Sequence, residues 1–414
     1  MSVHRRTVAL LVTAAALTAS LSAVGAAPAK HHSASHKGPK QPTLEARAIL
    51  PADATAPAPF PAVPNTDPAP APGSVQPVGG FSALNDAKGK NRFWAMPDNG
   101  FGTKANSRSF LLRVYLVKAK FETAHGGSGD ARILDWITLR DPDHKIPFAL
   151  VNSNTSARLL TGGDFDIESF RITRNGDIWF GDEFGPFLLH TDATGKVLEA
   201  PIPLPDVKSP DYPPDFTPPF AGPANLASSN GFEGMALSKD GKALYPTLEG
   251  PVSGDDPGLR RMYRFDLRDH AYDSGYRLYP IGAPDLFLSD LTALDDHRLV
   301  ALERDNFQGL AAAHKQGFVV DLRHTEPGDV LVKRQVVDLL DLSDPAEISL
   351  PGRPGDIGLG DPFSMPYQTI EAVLPVGGKR LAIVNDTNFG SMGRNPGLPD
   401  YSDFIEVRVP GLGH

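Results

Sequence analysis

Residues 164–186, DFDIESFRITRNGDIWFGDEFGP, read as one small unit. Glu168 opens a strand in which residues 167–172 alternate. Asn175-Gly176 is a two-residue hairpin signal. Asp177-Ile178-Trp179-Phe180 is the return strand. A carboxylate-rich loop, Asp182-Glu183-Phe184-Gly185-Pro186, closes the unit. Acids stand at both its entrance and its exit.

The unit recurs. Residues 230–251, NGFEGMALSKDGKALYPTLEGP, place Glu233 at the entrance and Glu249 at the exit. Residues 287–309, FLSDLTALDDHRLVALERDNFQG, have Asp290 at the entrance and Glu303-Arg304-Asp305-Asn306 at the exit. Residues 368–390, QTIEAVLPVGGKRLAIVNDTNFG, have Glu371 and then Asn385-Asp386. A weaker copy, residues 79–102, starts with Ser82 and ends on Asp98-Asn99-Gly100. A hairpin that cannot bury both faces alone points, when repeated, to stacked or radial β architecture. The expectation is an all-β protein, a β-propeller. The copies lie farther apart than the ~40–50 residues of a compact blade. Six blades, five visible and one degenerate, are therefore expected, with five or seven as alternatives.

Composition agrees with this. Forty Gly and forty Pro in 414 residues disfavour a helical protein, and no stretch sustains a 3.6-residue apolar period. The net charge of −9 makes nucleic acid an unsuitable partner. A basic start, His4-Arg5-Arg6, precedes the Ala-rich apolar run of residues 8–27. Residues 1–29 thus read as a signal peptide, with twin-arginine export as one route, and the mature chain has no membrane segment. Export to the extracellular space without a single Cys excludes disulfide staples and thiol catalysis. Residues 30–77 read as a disordered Pro/Ala-rich linker, with eleven Pro between Pro39 and Pro77. The propeller domain is expected over 78–410. Residues 404–409 form an alternating terminal strand suited to completing the first blade. Residues 201–229, with nine Pro, suit a lid or rim over one mouth.

In a propeller the first strand of each blade lines the central channel. Equivalent copies then aim Glu168, Glu233, Asp290 and Glu371 at one place. Converging carboxylates repel one another unless a cation or protons intervene. Hard oxygen donors select Ca²⁺, or alternatively Mg²⁺. The expected metal ligands are Glu168, Glu233, Asp290, Glu371, Glu249, Asn385 and Asp386. The expected catalytic groups are Glu303, Asp305, Arg304, Asp182 and Glu183. Arg304 suits a phosphate oxygen, or simply neutralises its neighbours. Lys104, Arg108, Arg260 and Arg261 are weaker cations of that kind, and Asn388 is a further exit-loop oxygen. Asp and Asn also cap turns for backbone reasons, so not every exit acid can reach one point. His190 and His314 read as isolated structural or surface residues, and Trp94 and Trp179 as core. There is no G-x-S-x-G, no phosphate-cradling Gly-rich loop and no HExxH.

The elements IESFRITRNGDIWFGDEFGP, GFEGMALSKDGKALYPTLEGP, LERDNF and IVNDTNFG resemble the bacterial phytase-like family, described as having an esterase-like activity of phytase. The resemblance spans roughly residues 79–390. It implies an exported β-propeller whose recurring acids serve ester hydrolysis. By position it assigns that role to Glu168, Asp182, Glu183, Glu233, Glu249, Glu303, Asp305, Asn385 and Asp386. Ser82 departs from the acidic pattern. Two functions follow. One is a secreted, monomeric, metal-dependent hydrolase of small-molecule phosphate esters, with carboxylic esters or lactones as sister substrates. The other is a non-catalytic propeller that binds a ligand or cell-wall partner around a structural cation.

Overall fold

The computed structural model describes residues 41–413, so residues 1–29, expected as a signal peptide, and residues 30–40 of the expected linker lie outside the described residues. The described chain is a β-propeller. Apart from two short 3₁₀ turns, Gly309–Ala311 and Pro410–Gly413, its regular structure is all strand. Five blades stand around one axis. Their innermost strands are Ala83–Asp86, Ile167–Ile172, Phe232–Leu237, Phe287–Ala293 and Thr369–Gly377. Each neighbours the next, and the fifth neighbours the first, so the ring is closed. Five blades, rather than six, account for the described residues. The long spacing between copies is taken up by outer strands and loops.

The apolar residues explain the closure. Among the described residues five buried clusters form, and each lies between two consecutive blades. Phe165, Phe170 and Leu189 of the second blade meet Met96, Leu112 and Val114 of the first. Trp179 and Leu188 meet Phe232 and Phe265 of the third blade. Tyr279 meets Leu288 and Leu291 of the fourth. Val300 and Val319 meet Ile370 and Ile383 of the fifth. Ala382 and Phe404 of the fifth blade return to Phe93 and Tyr115 of the first. A hairpin packed on both faces reads as a near-continuous apolar run, which is what IWFGD and RLVALER are.

The N-terminal segment corrects the linker reading. Thr43–Leu50 is a strand, antiparallel to Ser402–Arg408, and it supplies the outermost strand of the fifth blade. It is joined to the first blade by a parallel bridge, Ile49 to Asp130, and by short antiparallel pairing of Ala46 and Arg47 with Thr123 and Glu122. The terminal strand Ser402–Arg408 therefore sits third in the fifth blade and does not complete the first. Thr55–Pro57 pairs with Val75–Pro77, and the side chain of the buried Gln76 exchanges hydrogen bonds with the backbone of Leu111. The alternating TLEARAIL was hidden because the Pro-rich composition of its surroundings was averaged over it.

Arg47, on that first strand, is buried. Its guanidinium donates to both carboxylate oxygens of Asp403 at 2.9 and 3.1 Å, to Ser349 O at 2.9 Å and to Tyr401 Oη at 2.7 Å. Removing one member of such a buried pair costs about 3–5 kcal/mol. We expect Arg47→Ala to lower the urea unfolding midpoint accordingly. A chain starting at Val78, which exposes the edge of the fifth blade, should lose cooperative unfolding altogether. A sharp native-like transition in that truncated chain would refute the closing role of the N-terminal strand.

Candidate metal centre in the channel

The repeat places its acids by a shared irregularity. In four blades one residue of the innermost strand is skipped in the pairing. Glu168 is skipped between Ile167 and Ser169, and Glu233 between Phe232 and Gly234. Ser289 is skipped between Leu288 and Asp290, and Glu371 between Ile370 and Ala372. In the first blade Ser82 donates to Met96 O while Ala83 is paired with the same Met96. Such β-bulges re-aim the extra side chain. The inner ring is thus Ser82, Glu168, Glu233, Ser289 and Glu371.

Asp290 lies one residue past that position, and a one-residue slip changes the face. Its carboxylate accepts from Arg171 Nη2 at 3.0 Å, from Leu291 N at 2.7 Å and from Val373 N at 2.9 Å. It ties the second, fourth and fifth blades together, and its carboxylate is taken up by those contacts and stands outside the clusters of ligating oxygens. The exits alternate likewise. Asp182, Leu248, Glu303 and Asn385 pair opposite the residue before each bulge. The next residues are Glu183, Glu249, Arg304 and Asp386, and Asp98 holds the comparable place in the first blade.

The paired residues look away from the centre. Asp182 accepts from Asp166 N and Gly185 N at 2.8 and 2.7 Å and shapes the exit turn. Glu303 is held by Tyr279 Oη and Lys333 Nζ, with His314 Nε2 at 3.6 Å. Asn385 donates to Tyr401 O and accepts from Asp403 N. Asp305 accepts from Lys315 Nζ at 2.7 Å and from the amides of Ala313 and His314. These four, expected at the reaction centre or on the metal, instead engage their side chains in contacts with neighbouring strands and loops.

The centre gathers Asp98, Asp166, Glu168, Glu183, Glu233, Glu249, Glu371 and Asp386 around Arg304. All but the half-buried Asp98 are buried. Ligand oxygens of Glu168, Glu233 and Glu371 lie within 4.8 Å of one another, and so do those of Asp98, Asp166 and Glu168. Glu168 belongs to both triads. Arg304 Nη2 is 3.0 Å from Glu371 Oε1 and 3.5 Å from Glu249 Oε1, and the guanidinium sits 5.0 Å from the Phe287 ring. Buried atoms Asp166 Oδ1, Glu168 Oε2, Glu183 Oε1 and Arg304 Nε lack a hydrogen-bond partner. Oxygen-only donors with orphaned lone pairs fit a hard divalent cation.

Asp166 and Asp98 were not among the expected site residues. A signal for Asp166 was present: it stands two residues before Glu168 in D-I-E, on the same face of an extended chain. Asp98 stood in the copy weakened by Ser82.

Backbone fit sharpens the placement. Gly231 runs against the backbone of Glu183, where a Cβ would come within 2.4 Å of Glu183 Cα. Gly80, at φ +68°, leaves room for Asp386, whose Oδ1 would lie 1.8 Å from a Cβ there. The loop over residues 201–229 packs Tyr212 and Phe216 on Phe187, beside the exit turn of the second blade. Lys104 donates to Asp211 O in that loop and lies 5.1 Å from the Phe184 ring. Arg108, Arg260 and Arg261 are engaged by Asp67, by the Glu249 carbonyl and by Asp255.

Burial is the main cause of the titration behaviour. It pushes Asp98 up to about 6 and Glu249 up to about 7, Arg304 opposing the rise at Glu249. Asp166, Glu168, Glu183, Glu233 and Asp386 rise well above the carboxylate range, by burial and then by mutual repulsion.

The fold and site define a β-propeller with a polycarboxylate centre. The chain belongs to the phytase-like family, whose model, described as esterase-like activity of phytase, matches residues 76–389. An uncharacterized secreted protein of Arthroderma benhamiae is 26% identical over 228 residues, 44% of this chain. That match spans 44% of the relative's length. Among solved structures, a luciferin-regenerating enzyme is similar at TM-score 0.35 and 11% identity, over 81% of this chain and 80% of its own. YCF48 from Cyanidioschyzon merolae is similar at TM-score 0.33 and 11% identity, over 80% and 73%. The Dos1 propeller is similar at TM-score 0.33 and 12% identity, over 80% and 68%. Among the described residues no helix is long and apolar enough to cross a membrane.

The raised carboxyls set the sign of a pH effect. The folded state holds protons that the unfolded chain, titrating near 4, has released. Without divalent cations, stability is fully present below about pH 4 as far as these groups are concerned. It falls as pH rises through the window up to about 7 for Asp98 and Glu249. In EDTA the urea midpoint should therefore be higher at pH 5 than at pH 8, and Ca²⁺ should restore the loss at pH 8. Equal midpoints in EDTA would mean that the central carboxyls titrate like exposed ones.

Proposed function

We propose that this chain is an exported hydrolase of phosphate esters that works with Ca²⁺, or Mg²⁺, in the channel centre. One observation carries the reading: eight carboxyl groups cluster in the channel, two of them paired with Arg304, while three of their buried oxygens have no partner. An anionic ester would be repelled from such a centre unless cations reversed its sign. Glu168, Glu233 and Glu371 would hold one cation, and Glu168 with Asp98 and Asp166 a second. Cations held by these residues would supply the positive charge that attracts an anionic ester and polarises a phosphoryl oxygen.

The chain's own residues supply the rest. Arg304 is fixed by Glu371 and Glu249 and keeps a free Nε–H, a donor for a non-bridging phosphate oxygen. Glu249 stands in neither triad and touches Arg304, so it is placed to take the proton of an attacking water. The water oxygen bonds to phosphorus, the ester P–O bond breaks, and the alcohol leaves with a proton. Glu183, which adjoins Glu249, is the second carboxyl available for that proton. Asp290, Glu303 and Asp305 position strands and loops. Export follows from the basic and apolar start of the chain and agrees with a secreted relative.

The test is release of phosphate and p-nitrophenol from an ester panel, in Ca²⁺ and in EDTA. Calcium-dependent turnover on phosphate esters is expected. Glu233→Gln should abolish turnover and lower Ca²⁺ binding together. Arg304→Met should cut kcat/KM by about 10²–10³-fold, the usual loss of a charge-stabilising donor. Glu303→Gln should keep most of the activity. Turnover on carboxylic esters alone would move the chemistry to a carbonyl centre. No turnover, with a Tm that drops in EDTA, would make this a ligand-binding propeller with a structural cation.

A further inference from the structure

A second group of ligating side chains lies outside the channel, at the outer junction of the second and third blades. His190 is on the strand Phe187–Thr191, directly across from Trp179. Glu199 follows on the same blade, where Leu198 N donates to His190 O. His270 comes from the third blade. It sits at φ +48° in the turn between Phe265–Asp266 and Ala271–Tyr272. The two imidazoles converge on one oxygen: Glu199 Oε1 is 2.7 Å from His190 Nδ1 and 2.9 Å from His270 Nδ1. Donor atoms of the three residues lie within 4.8 Å of one another.

We propose that His190, Glu199 and His270 form a binding site for a borderline divalent transition-metal ion such as Zn²⁺, which clips the second blade to the third. Two imidazoles and a carboxylate are donors for Zn²⁺, Co²⁺ or Ni²⁺ and a poor set for Ca²⁺. The site thus differs in selectivity from the oxygen-only centre.

A second observation concerns His190 alone. It is 7% exposed, and its Nε2 has no hydrogen-bond partner. The nearest group facing that nitrogen is the Asp177 carboxylate, with Oδ2 at 3.5 Å. Both ring nitrogens therefore face carboxylates: Glu199 Oε1 accepts from Nδ1 in the metal-free site, and when a metal displaces that proton Asp177 can hold the remaining one on Nε2, the arrangement by which acids orient ligating histidines. Trp179 holds the ring flat by stacking at 4.0 Å, and His270 meets Trp179 edge-on at 5.1 Å. The rings are therefore oriented before any metal arrives. Glu199 and His270 are about one-third exposed, which leaves the ion a way in.

The test uses the full mature chain with His31, His32 and His36 replaced by Ala, so that the N-terminal histidines cannot compete. Ca²⁺ is kept saturating to fill the channel. Titration with Zn²⁺ in a calorimeter should show one additional equivalent bound, and the Tm should rise. Co²⁺ should give the absorption bands of a low-coordinate cobalt site. His270→Ala, at the exposed turn, should lower Zn²⁺ affinity at least tenfold. Glu199→Gln should do the same while leaving the Ca²⁺ response intact. Glu233→Gln should leave Zn²⁺ binding unchanged, which separates this site from the channel. Zn²⁺ binding that is absent, or undiminished in both His270→Ala and Glu199→Gln, would overturn the proposal.

Discussion

Eight carboxyl groups brought into a water-poor channel repel one another, and the propeller is built to hold them there. Each gains a raised affinity for protons because burial disfavours its anion, and each charge raises that of its neighbours further. Arg304 offsets only part of this charge. The scaffold must therefore supply the stability that the centre lacks. It does so through five apolar seams between blades and through ion pairs set away from the centre, such as Arg171 with Asp290 and Arg47 with Asp403. Charge concentrated without protein partners is charge available to a cation, and this is the physical ground of the metal centre we propose.

The carboxylates are aimed by local geometry. A bulge in an innermost strand turns one side chain toward the axis, and the strict alternation of the exit strand turns every second residue after it. The same rule that puts Glu183, Glu249, Arg304 and Asp386 in the centre sends Asp182, Glu303 and Asn385 into the surrounding loops. Roles thus divide within a single dipeptide: Glu303 links Lys333 of its own blade to Tyr279 of the third, while Arg304 faces the acids. Ser82 and Ser289 break the acidic ring at the first and fourth blades. The centre is therefore lopsided, with Arg304 rising from the same blade as Ser289.

Ring closure depends on chain ends distant in sequence. Thr43–Leu50 lies beside Ser402–Arg408, so the fifth blade needs both ends of the folded chain, and its innermost strands must already be in place. A metal clip between His190 and His270 would act on another of the five seams. Such a seam is held mainly by packed side chains, such as Trp179 and Leu188 against Phe232 and Phe265.

Much was legible in the residues themselves. The recurrence of hairpins with Asn-Gly, Asp-Gly or Gly-Gly turns and flanking acids identifies an all-β propeller, since turn chemistry and period-two alternation are local properties. Glu168, Glu233 and Glu371 stand out by their place in the repeat. The bulge was not legible: a skipped residue leaves no mark in composition, so Asp290 looked equivalent to Glu371 when Ser289 holds that place. Nor could a window average reveal an eight-residue strand amid prolines. Only tertiary structure decides which of two adjacent acids faces the axis, which end of the chain closes the ring, and that His190 and His270, on separate blades, share one carboxylate oxygen. Those are matters of long-range pairing, and pairing partners are chosen by packing across the whole ring.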